Sequence, residues 1–371
     1  MTASRKPKVA VVFGGRSSEH AVSCSTAASV LTALDLDKYD VIPIGVSVDG
    51  RWVLESGDTE RLALTAGHVP EVDRDASPVL VTNDPTRPEL VVAAPDEPPR
   101  ELGQVDVVFP LLHGPWGEDG TIQGMFETAG IRYVGSGVLA SAVGMDKAYM
   151  KVVLAAAGLP ITPYVVVKPR EWERDPAAVR ESVEAVGYPV FVKPARGGSS
   201  LGITKVQDRD GLDKAIEHAR EFDPKVLVEA SAEGTREVEC GVLQRPDGGA
   251  DASVVAEITG YGAHEFYDFE AKYLGEEGVT LEVPADLPAE VAEEIQQFAV
   301  RAFEALDCEG LARVDFFLDH SGALTINEIN TMPGFTPASM YPRMWAESGV
   351  SYPELVDRLL QLALNRDVGL R

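Results

Sequence analysis

The sequence predicts a protein of mixed α/β and α+β class with more than one domain, on the strength of three observations. Residues 8–13 (KVAVVF) form a short apolar strand followed by a glycine-rich turn and a helical pattern, which is typical of a parallel α/β unit. Residues 310–334 have the pattern of two strands joined by a tight turn, which indicates an antiparallel hairpin late in the chain. The length of 371 residues exceeds what one compact core usually supports, so two or three domains are expected.

Composition and charge exclude several classes of partner. The formal net charge of −26 argues against nucleic acid, because phosphate backbones recruit an excess of Lys and Arg, and it disfavours an anionic membrane surface. No uninterrupted apolar run is long enough to span a bilayer, and the run after the basic N-terminus stops at Gly14, too early for a signal peptide. Cys24, Cys240 and Cys308 have neither metal-ligand nor disulfide spacing, so a cytoplasmic protein is expected.

The first third of the chain contains two candidate ligand groups. The helical pattern after the first strand extends to about Leu34, and the turn before it lacks the Gly-x-Gly-x-x-Gly spacing of a dinucleotide site. Glu19 lies near the start of this helix, where a carboxylate either compensates the helix dipole or contacts a ligand. A second buried strand ends at His113, at the sheet edge where ligands collect in open α/β folds; a purely structural histidine is the alternative.

Four further elements are expected in this region. A hairpin should turn at Asp49-Gly50. The proline-rich segment 55–103 should form a peripheral insert with short strands and no identifiable chemistry. A helix over 121–129 and another strand at 131–134 (IRYV) should follow.

A glycine-rich loop between two strands is the central feature of the next segment. One helix is expected from Ser136 to Pro160, and Lys147 within it would in isolation be a surface lysine. Residues 188–206 then have the order strand, loop and strand, which excludes a P-loop and predicts a flap of the kind that kinases place over phosphates. Lys193 precedes the flap and is well placed for a phosphate; a mobile solvent hairpin is the alternative. The flap residues that could approach phosphate oxygens are Gly197, Gly198, Ser199, Ser200 and Gly202.

A regular pattern of strands and helices follows, interrupted by one long irregular segment. A helix over 210–222, a strand ending at Glu229, two antiparallel strands and a helix over 289–306 are expected. Residues 260–278 are rich in aromatics and glycines without a regular period, and loops of this length tend to be lids. Lys272 and Tyr273 stand out there, and a last helix should begin at about Pro353.

The late hairpin is the strongest candidate for a metal site. If Ser321-Gly322 is a two-residue turn with His320 opposite Ala323, then Asp315 falls opposite Glu328. In the same register, Arg313 falls opposite Asn330 on the same face. Two acids and an amide oxygen suit a divalent cation such as Mg²⁺, and Arg313 could bind a phosphate or an oxyanion. An exposed polar face on an ordinary hairpin is the alternative.

Together these features resemble the ATP-grasp superfamily and, within it, the D-alanine–D-alanine ligase family. The resemblance extends from about Val9 to the C-terminal helix, and its motifs are specific in combination. They are GGRSSEHAVS, LHGPWGEDGTIQG, GSGVLASAVGMDK, VFVKPARGGSSLG, FYDFEAKY, GLARVDFF and INEINTMPGFTPASMYP. The resemblance implies an ATP-grasp fold with an N-terminal Rossmann-like α/β domain.

The resemblance also implies a role for each matching residue. ATP would contact Lys147, Lys193, Gly198, Ser199, Ser200, Glu229, Ala230, Glu237, Lys272, Asn327 and Glu328. Two Mg²⁺ or Mn²⁺ ions would be held by Asp315, Glu328 and Asn330. The D-alanine substrates would contact Glu19, His113, Lys272, Arg313 and Ser339. Arg313 and the backbone of Gly334 would bind the oxyanion, and Glu19, Ser199 and Tyr273 would form a hydrogen-bonded triad that closes the lid.

The implied reaction is the ATP-dependent joining of two D-alanine molecules through a D-alanyl phosphate, for peptidoglycan precursors. The implied domains are 1–136, 137–235 and 236–371, and the implied assembly is a homodimer formed through the N-terminal domain. Two rival classes remain: a D-alanine–D-lactate or other carboxylate–amine ligase, and a nucleotide-binding regulator without turnover. Tyr273 favours the dipeptide within the family pattern, and the regulator has no need for Asp315, Glu328 and Asn330 together.

Overall fold

The structure is a computed structural model, and it describes residues 5–65, 67–94, 97–261 and 279–369. Lys272, Tyr273 and nearly all of the predicted lid lie outside the described residues. Within the described ranges, none of the helices has the length and apolar character needed to cross a bilayer.

The N-terminal part contains the predicted parallel sheet. Its elements are, in order, β1 (Lys8–Gly14), α1 (His20–Ala33), β2 (Asp40–Val46), β3 (Trp52–Leu54), α2 (Thr59–Leu62), β4 (Val79–Val81), β5 (Glu89–Val92), β6 (Arg100–Gln104), β7 (Val107–Pro110) and α3 (Thr121–Thr128). The first sheet has the order β3-β2-β1-β7, and β1 pairs in parallel with both β2 and β7. The Asp49-Gly50 hairpin is confirmed, and the insert forms its own antiparallel sheet, β4-β5-β6. The strand predicted at IRYV is wrong, because only Tyr133 forms an isolated bridge, to Val108.

The central part is an antiparallel sheet covered by helices. Its elements are α4 (Val138–Met145), α5 (Lys147–Ala156), β8 (Tyr164–Val167), α6 (Pro169–Arg174), α7 (Pro176–Val186), β9 (Val190–Pro194), β10 (Thr204–Val206), α8 (Arg209–Arg220) and β11 (Val226–Ala230). The strand order is β10-β9-β11-β8, so the predicted flap lies between the antiparallel strands β9 and β10. The single helix predicted over 136–160 is wrong: Asp146 interrupts it and accepts hydrogen bonds from the backbone N–H groups of Ala148 and Tyr149 as the cap of α5.

The C-terminal part is a five-stranded sheet flanked by helices. Its elements are β12 (Arg236–Gln244), β13 (Ala250–Tyr261), β14 (Val279–Glu282), α9 (Ala289–Ala305), β15 (Leu311–Leu318), β16 (Leu324–Asn330), α10 (Met340–Glu347) and α11 (Tyr352–Leu364). The order is β14-β13-β12-β15-β16. Met150 and Leu154 of α5 share a buried core with Ile295 and Phe303 of α9 and Val314 of β15. This packing fixes the start of α5 beside the late hairpin.

The register of the late hairpin is confirmed at the candidate site although the predicted turn is wrong. The turn has three residues, 320–322, and Asp319 instead of His320 bonds to Ala323. This moves the pairing by one residue, so that Leu318 faces Leu324. A β-bulge between Asp315 and Phe316 then restores the expected register, in which Asp315 faces Glu328. The two departures cancel, and Arg313 also faces Asn330 as expected.

The first and last parts of the chain share one core. Val9 and Val11 of β1 and Phe109 of β7 are buried with Leu355 and Leu359 of α11. Burial of these side chains stabilises the association of the N-terminal sheet with the C-terminal helix by roughly 1.5–3 kcal/mol per side chain. The loop after β1 is thereby held facing the loop that precedes α10.

Candidate active site

A cavity of about 800 Å³ lies where the three main sheets meet. Its walls come from the loop before α1, the loop after β7, the start of α5, the flap and the end of β16. Part of the insert also lines it, at Leu64, Thr65 and Val69. The predicted residues that line the cavity are Glu19, His113, Lys147, Gly198, Ser199, Arg313, Glu328, Asn330, Gly334 and Ser339. The cavity therefore brings together groups that lie up to about three hundred positions apart in the sequence.

Glu19 connects the N-terminal domain to the flap. Its side chain is 7% exposed and makes no capping bond to α1; its carboxylate instead accepts a hydrogen bond from the hydroxyl of Ser199. The Ser17 hydroxyl donates to the carbonyl oxygen of His113 at 2.7 Å and accepts from the Glu19 N–H at 3.2 Å, which fixes the turn that presents the carboxylate. Glu19 therefore presents its carboxylate to the cavity and to the flap, and it does not cap α1 through its side chain.

The flap itself has an unusual backbone. Ser199 and Ser200 have φ angles of +51° and +58°, in the left-handed region that costs an ordinary residue roughly 1–2 kcal/mol. The Ser199–Glu19 bond offsets part of this cost and holds the flap against the N-terminal domain. At the base of the flap, the Lys147 ammonium donates to the carbonyl oxygen of Gly197 at 2.8 Å. The flap is thus attached at two points.

His113 lies in the cavity wall as a neutral ring. Its Nδ1 is 3.2 Å from the carbonyl oxygen of Met332, and its Nε2 is 3.4 Å from the hydroxyl of Thr26. Burial lowers the pKa of His113 below its ordinary value, although the Glu19 carboxylate opposes this change. A neutral His113 donates from Nδ1 to Met332, so the residue also joins the N-terminal sheet to the loop after β16.

Three carboxylates lie side by side on the C-terminal sheet. Glu239 of β12 pairs with Asp315 of β15, which pairs with Glu328 of β16. Arg313 neutralises part of this charge with a two-point ion pair to Asp315, with both N–O distances 2.7 Å, and a contact to Glu239 at 3.1 Å. Burial acts against the Arg313 charge, but Asp315 and Glu239 raise the pKa of its guanidinium further above the ordinary value.

The side chains at the hairpin fit a divalent cation in donor chemistry. Asn330 donates its amide to Asp315 at 3.1 Å, and Lys147 is 3.1 Å from Glu328. Hard oxygen donors of this kind suit Mg²⁺ or Mn²⁺. Arg313 and Lys147 now neutralise the acids, and among the described residues no group of three or more His, Cys, Asp and Glu side chains forms a ready-made metal site. A cation would therefore have to displace these two side chains from the carboxylates.

A second charged group lies behind the cavity, below the flap. Glu229 is the last residue but one of β11 and is almost completely buried. One of its carboxylate oxygens contacts the ammonium of Lys193, and the other contacts the ammonium of Lys151. Burial alone would raise the pKa of the Glu229 carboxyl, but the two lysines lower it below its ordinary value, so the group is an anion.

Seven predicted residues in the described chain do not line the cavity itself. Asp315 lies behind Arg313, and Lys193 lies below the flap with Glu229. The other four residues of this set are Ser200, Ala230, Glu237 and Asn327. The two remaining predictions, Lys272 and Tyr273, lie outside the described residues.

Sequence reasoning missed three charged groups. Glu118 lines the cavity, and burial together with the Glu19 carboxylate raises its pKa well above the ordinary value. The Glu118 carboxylate accepts a hydrogen bond from the backbone N–H of Gly114 at 2.5 Å. The short spacing between Gly114 and Glu118 in the loop after His113 was a sequence signal for this contact. Glu239 could be found only from the long-range pairing of β12 with β15. Lys151 lies one helical turn after Lys147, a spacing that places both on one helix face.

The fold and the cavity define the class of protein. An antiparallel sheet with a glycine-rich flap faces a second sheet whose last hairpin carries two acids and an amide, and this is the ATP-grasp arrangement. Two family models match the chain: "D-ala D-ala ligase N-terminus" over residues 8–136 and "D-ala D-ala ligase C-terminus" over residues 153–361. The chain belongs to the D-alanine–D-alanine ligase family.

Individual relatives agree with this assignment. The chain is 58% identical over 375 residues to the D-alanine–D-alanine ligase of Streptomyces griseus, which covers 99% of this chain and 95% of the relative. It is 59% identical over 368 residues to that of an Arthrobacter species, covering 99% and 96%. Among solved structures, the VanG D-Ala:D-Ser ligase of Enterococcus faecalis matches with a TM-score of 0.83 and 37% identity, covering 97% and 100%. The D-alanine–D-alanine ligase of Coxiella burnetii matches with a TM-score of 0.81 and 33% identity, covering 98% and 95%.

Proposed function

We propose that this chain joins two D-alanine molecules to D-alanyl-D-alanine with ATP, as a step in the synthesis of peptidoglycan precursors. The observation that carries the proposal is the single cavity that contains Glu19 on one side and Arg313 with the acidic hairpin on the other. An amino-acid ammonium and a phosphorylated carboxylate can be held there within reach of each other. The two relatives described above, at 58% and 59% identity, are D-alanine–D-alanine ligases, which supports D-alanine as the acceptor.

The nucleotide would lie between the flap and the C-terminal sheet. Lys147 and Lys193 would bind its phosphates as ammonium groups beneath the flap. The other proposed contacts are Gly198, Ser199, Ser200, Glu229, Ala230, Glu237, Lys272, Asn327 and Glu328. Asp315, Glu328 and Asn330 would hold two Mg²⁺ or Mn²⁺ ions, which when bound supply positive charge to the transferred phosphoryl group.

The proposed reaction has two steps. The carboxylate of the first D-alanine, with its ammonium at Glu19 and near His113, attacks the γ-phosphorus, and ADP leaves with a D-alanyl phosphate remaining. The amine of the second D-alanine, with its carboxylate held by Lys272 and Ser339, attacks the acyl carbon, and inorganic phosphate leaves. The guanidinium of Arg313 and the backbone N–H of Gly334 stabilise the oxyanion that forms between these events.

The loop between Gly334 and Ser339 is the part of the cavity that we propose for the carboxylate of the second substrate. The Ser339 hydroxyl accepts from the Thr336 N–H at 3.1 Å and lies 2.9 Å from the Thr336 hydroxyl. A Cβ on Gly334 would lie only 3.2 Å from the Ser339 hydroxyl oxygen, so a side chain there would crowd the group proposed to bind the carboxylate. Closure of the lid over this loop, with Tyr273 joining Glu19 and Ser199, would protect the acyl phosphate from hydrolysis.

Domain limits, assembly and location are part of the same proposal. Each of the ranges 1–136, 137–235 and 236–371 contains one main sheet, which supports three domains. A homodimer formed through the N-terminal domain is proposed from the family resemblance alone. A cytoplasmic location is supported by Cys24, Cys240 and Cys308, which are all free thiols.

A substrate panel tests the proposed reaction. The protein is given MgATP with D-amino acids, L-amino acids and D-lactate, and products are identified by mass spectrometry together with phosphate release. D-alanyl-D-alanine should dominate. D-alanyl-D-lactate as the main product would assign a depsipeptide ligase, and no phosphate release with any acceptor would leave only a nucleotide-binding protein.

A variant tests the metal assignment. Glu328→Gln should abolish turnover and leave the fold intact, because the carboxylate charge that would bind the cation is lost. Glu257→Gln is the control: Glu257 is a carboxylate on the same sheet that is also paired with a cation, but its partner is Arg236 and it does not line the cavity. A wild-type rate in Glu328→Gln would contradict the assignment.

A further inference from the structure

Lys151 is a completely buried lysine that the proposed reaction does not use. Its side chain is 0% exposed, on the face of α5 that also carries Lys147. Its ammonium contacts the Glu229 carboxylate and lies 5.9 Å from the centre of the Tyr164 ring. Burial of an ammonium group in a protein interior is unfavourable unless an anion accompanies it, so Lys151 depends on Glu229.

Glu229 has two cationic partners, one for each oxygen, and these partners differ in position. Lys151 is inaccessible from every side, whereas the side chain of Lys193 is 10% exposed. Lys193 is also the residue proposed to bind the phosphates. Lys193 is free to turn its ammonium fully toward a phosphate when the Glu229 carboxylate does not hold it. If Lys193 were the only partner, its departure would leave a buried carboxylate without a counter-ion, which is strongly unfavourable.

We propose that Lys151 is a positioning residue for nucleotide binding, which neutralises Glu229 so that the Lys193 ammonium is released to the nucleotide phosphates. The inference rests on the proposed function, because it takes Lys193 as a phosphate-binding group. Lys151 would thereby belong to the nucleotide site without contacting either the nucleotide or an amino-acid substrate. Lys147 needs no such partner, because its anion, Glu328, is 23% exposed and is itself proposed to receive the metal charge.

The consequence is a specific loss of nucleotide affinity when Lys151 loses its charge. In Lys151→Met, Glu229 keeps Lys193 as its only cation and holds it below the flap. We expect the Kd for MgADP to rise about tenfold or more, which corresponds to about 1.4 kcal/mol. The KM for D-alanine measured at saturating ATP should stay close to the wild-type value, because Lys151 does not line the cavity and its contacts in the described part of the chain are to Glu229 and Tyr164.

A double-mutant cycle tests the inference by calorimetric titration of MgADP, which requires no turnover. The proteins are wild type, Lys151→Met, Glu229→Gln and the variant with both substitutions. With both charges removed, Lys193 has no buried anion to hold it, and the double variant loses only the proposed nucleotide contact that Glu229→Gln also loses. It should bind as well as Glu229→Gln. A double variant that binds MgADP more weakly than Glu229→Gln would show that Lys151 acts independently of Glu229 and would overturn the inference.

Two controls separate the possible failures. Lys225→Met removes a shielded lysine from Asp146 at the start of the same helix, and its Kd should remain close to wild type. If Lys151→Met does not fold, the comparison of Glu229→Gln with the double variant decides by itself whether Lys151 acts only through Glu229. Wild-type protein that fails to bind MgADP would overturn the proposed function and the inference with it. Normal wild-type binding with an unchanged Kd in Lys151→Met would overturn the inference alone.

Discussion

Removal of the Ser199 hydroxyl should detach the flap from the N-terminal domain. In the structure this hydroxyl donates to the largely buried carboxylate of Glu19, and the bond joins the flap to the N-terminal part of the chain. Ser199→Ala deletes the donor and keeps the backbone, including the φ of +51° that a β-carbon tolerates poorly. The flap should therefore spend more time away from Glu19.

The magnitude follows from the type of bond. A hydrogen bond to a charged acceptor contributes about 1.5–3 kcal/mol. Since kcat/KM compares the transition state with the substrate-free enzyme, loss of the bond should lower kcat/KM for D-alanine by roughly 10- to 150-fold where the substrate-free flap is open, and by less where the same bond closes it. The smaller decrease in kcat/KM is expected if a water molecule donates a hydrogen bond to the Glu19 carboxylate in the variant, because the carboxylate then keeps a hydrogen-bond partner. The free energy of unfolding should change less, since the flap contributes little to the buried core.

Two measurements test this reasoning. Hydrogen exchange of the amides in residues 196–202 reports flap opening directly, and steady-state kinetics report kcat/KM. Ser182→Ala removes a hydroxyl of the same domain that bonds only within its own helix, to Ala178, and should change neither quantity. Wild-type exchange rates in the flap of Ser199→Ala would refute the idea that this bond holds it closed.

Three further predictions concern stability, measured by urea unfolding. Burial lowers the pKa of His113, so as the pH falls the histidine is protonated in the unfolded chain before it is protonated in the folded protein. The free energy of unfolding should therefore decrease below about pH 6.5, by up to about 1.4 kcal/mol per pH unit. The variant His113→Asn should show a smaller decrease. Asp223→Asn should cost about 1.5–3 kcal/mol at pH 7, because the buried carboxylate accepts two side-chain hydrogen bonds from Arg196. Gly241→Ala should cost about 1–3 kcal/mol, because its Cβ would lie 3.0 Å from the indole nitrogen of Trp345.

Each of these predictions has a contrary outcome. For His113, an equally steep acid loss in the variant would place the responsible group elsewhere. For Asp223, burial would raise the pKa, but the Arg196 and backbone hydrogen bonds lower it below the ordinary value. Its contribution should therefore be present at neutral pH and disappear only below about pH 4, as the carboxyl is protonated in both states. A difference in free energy of unfolding between wild type and Asp223→Asn that stays constant down to pH 2 would contradict this prediction. For Gly241→Ala, an unchanged free energy of unfolding would contradict the steric argument.

The sequence predicted elements whose signals are local. The first strand, the flap between antiparallel strands and the helix over 289–306 each have a short apolar pattern or turn residues of their own, and the structure contains all of them. The helix start at α7 was missed although Asp175 caps it and Pro176 follows. The interruption at Asp146 was also missed, because Asp146 lies within an apolar run that has the pattern of one continuous helix, although its side chain caps α5.

At the candidate site, the facing of one side chain by another was predictable only within the late hairpin. Asp315 and Glu328 face each other through local pairing, and even there the turn and the bulge were beyond the reach of the pattern. Glu239 joins the same row through a strand more than seventy residues earlier, and no periodicity encodes that contact. The Glu229–Lys151 pair likewise depends on the packing of α5 against β11, which a sequence pattern does not contain.

The shared core of β1, β7 and α11 has a consequence for synthesis on the ribosome. The apolar face of the first sheet emerges early, whereas residues 352–364, which cover it, are translated more than two hundred residues after β7. During that interval the nascent N-terminal segment must remain uncovered or be protected by chaperones. The earliest strand of the chain thus completes its packing last.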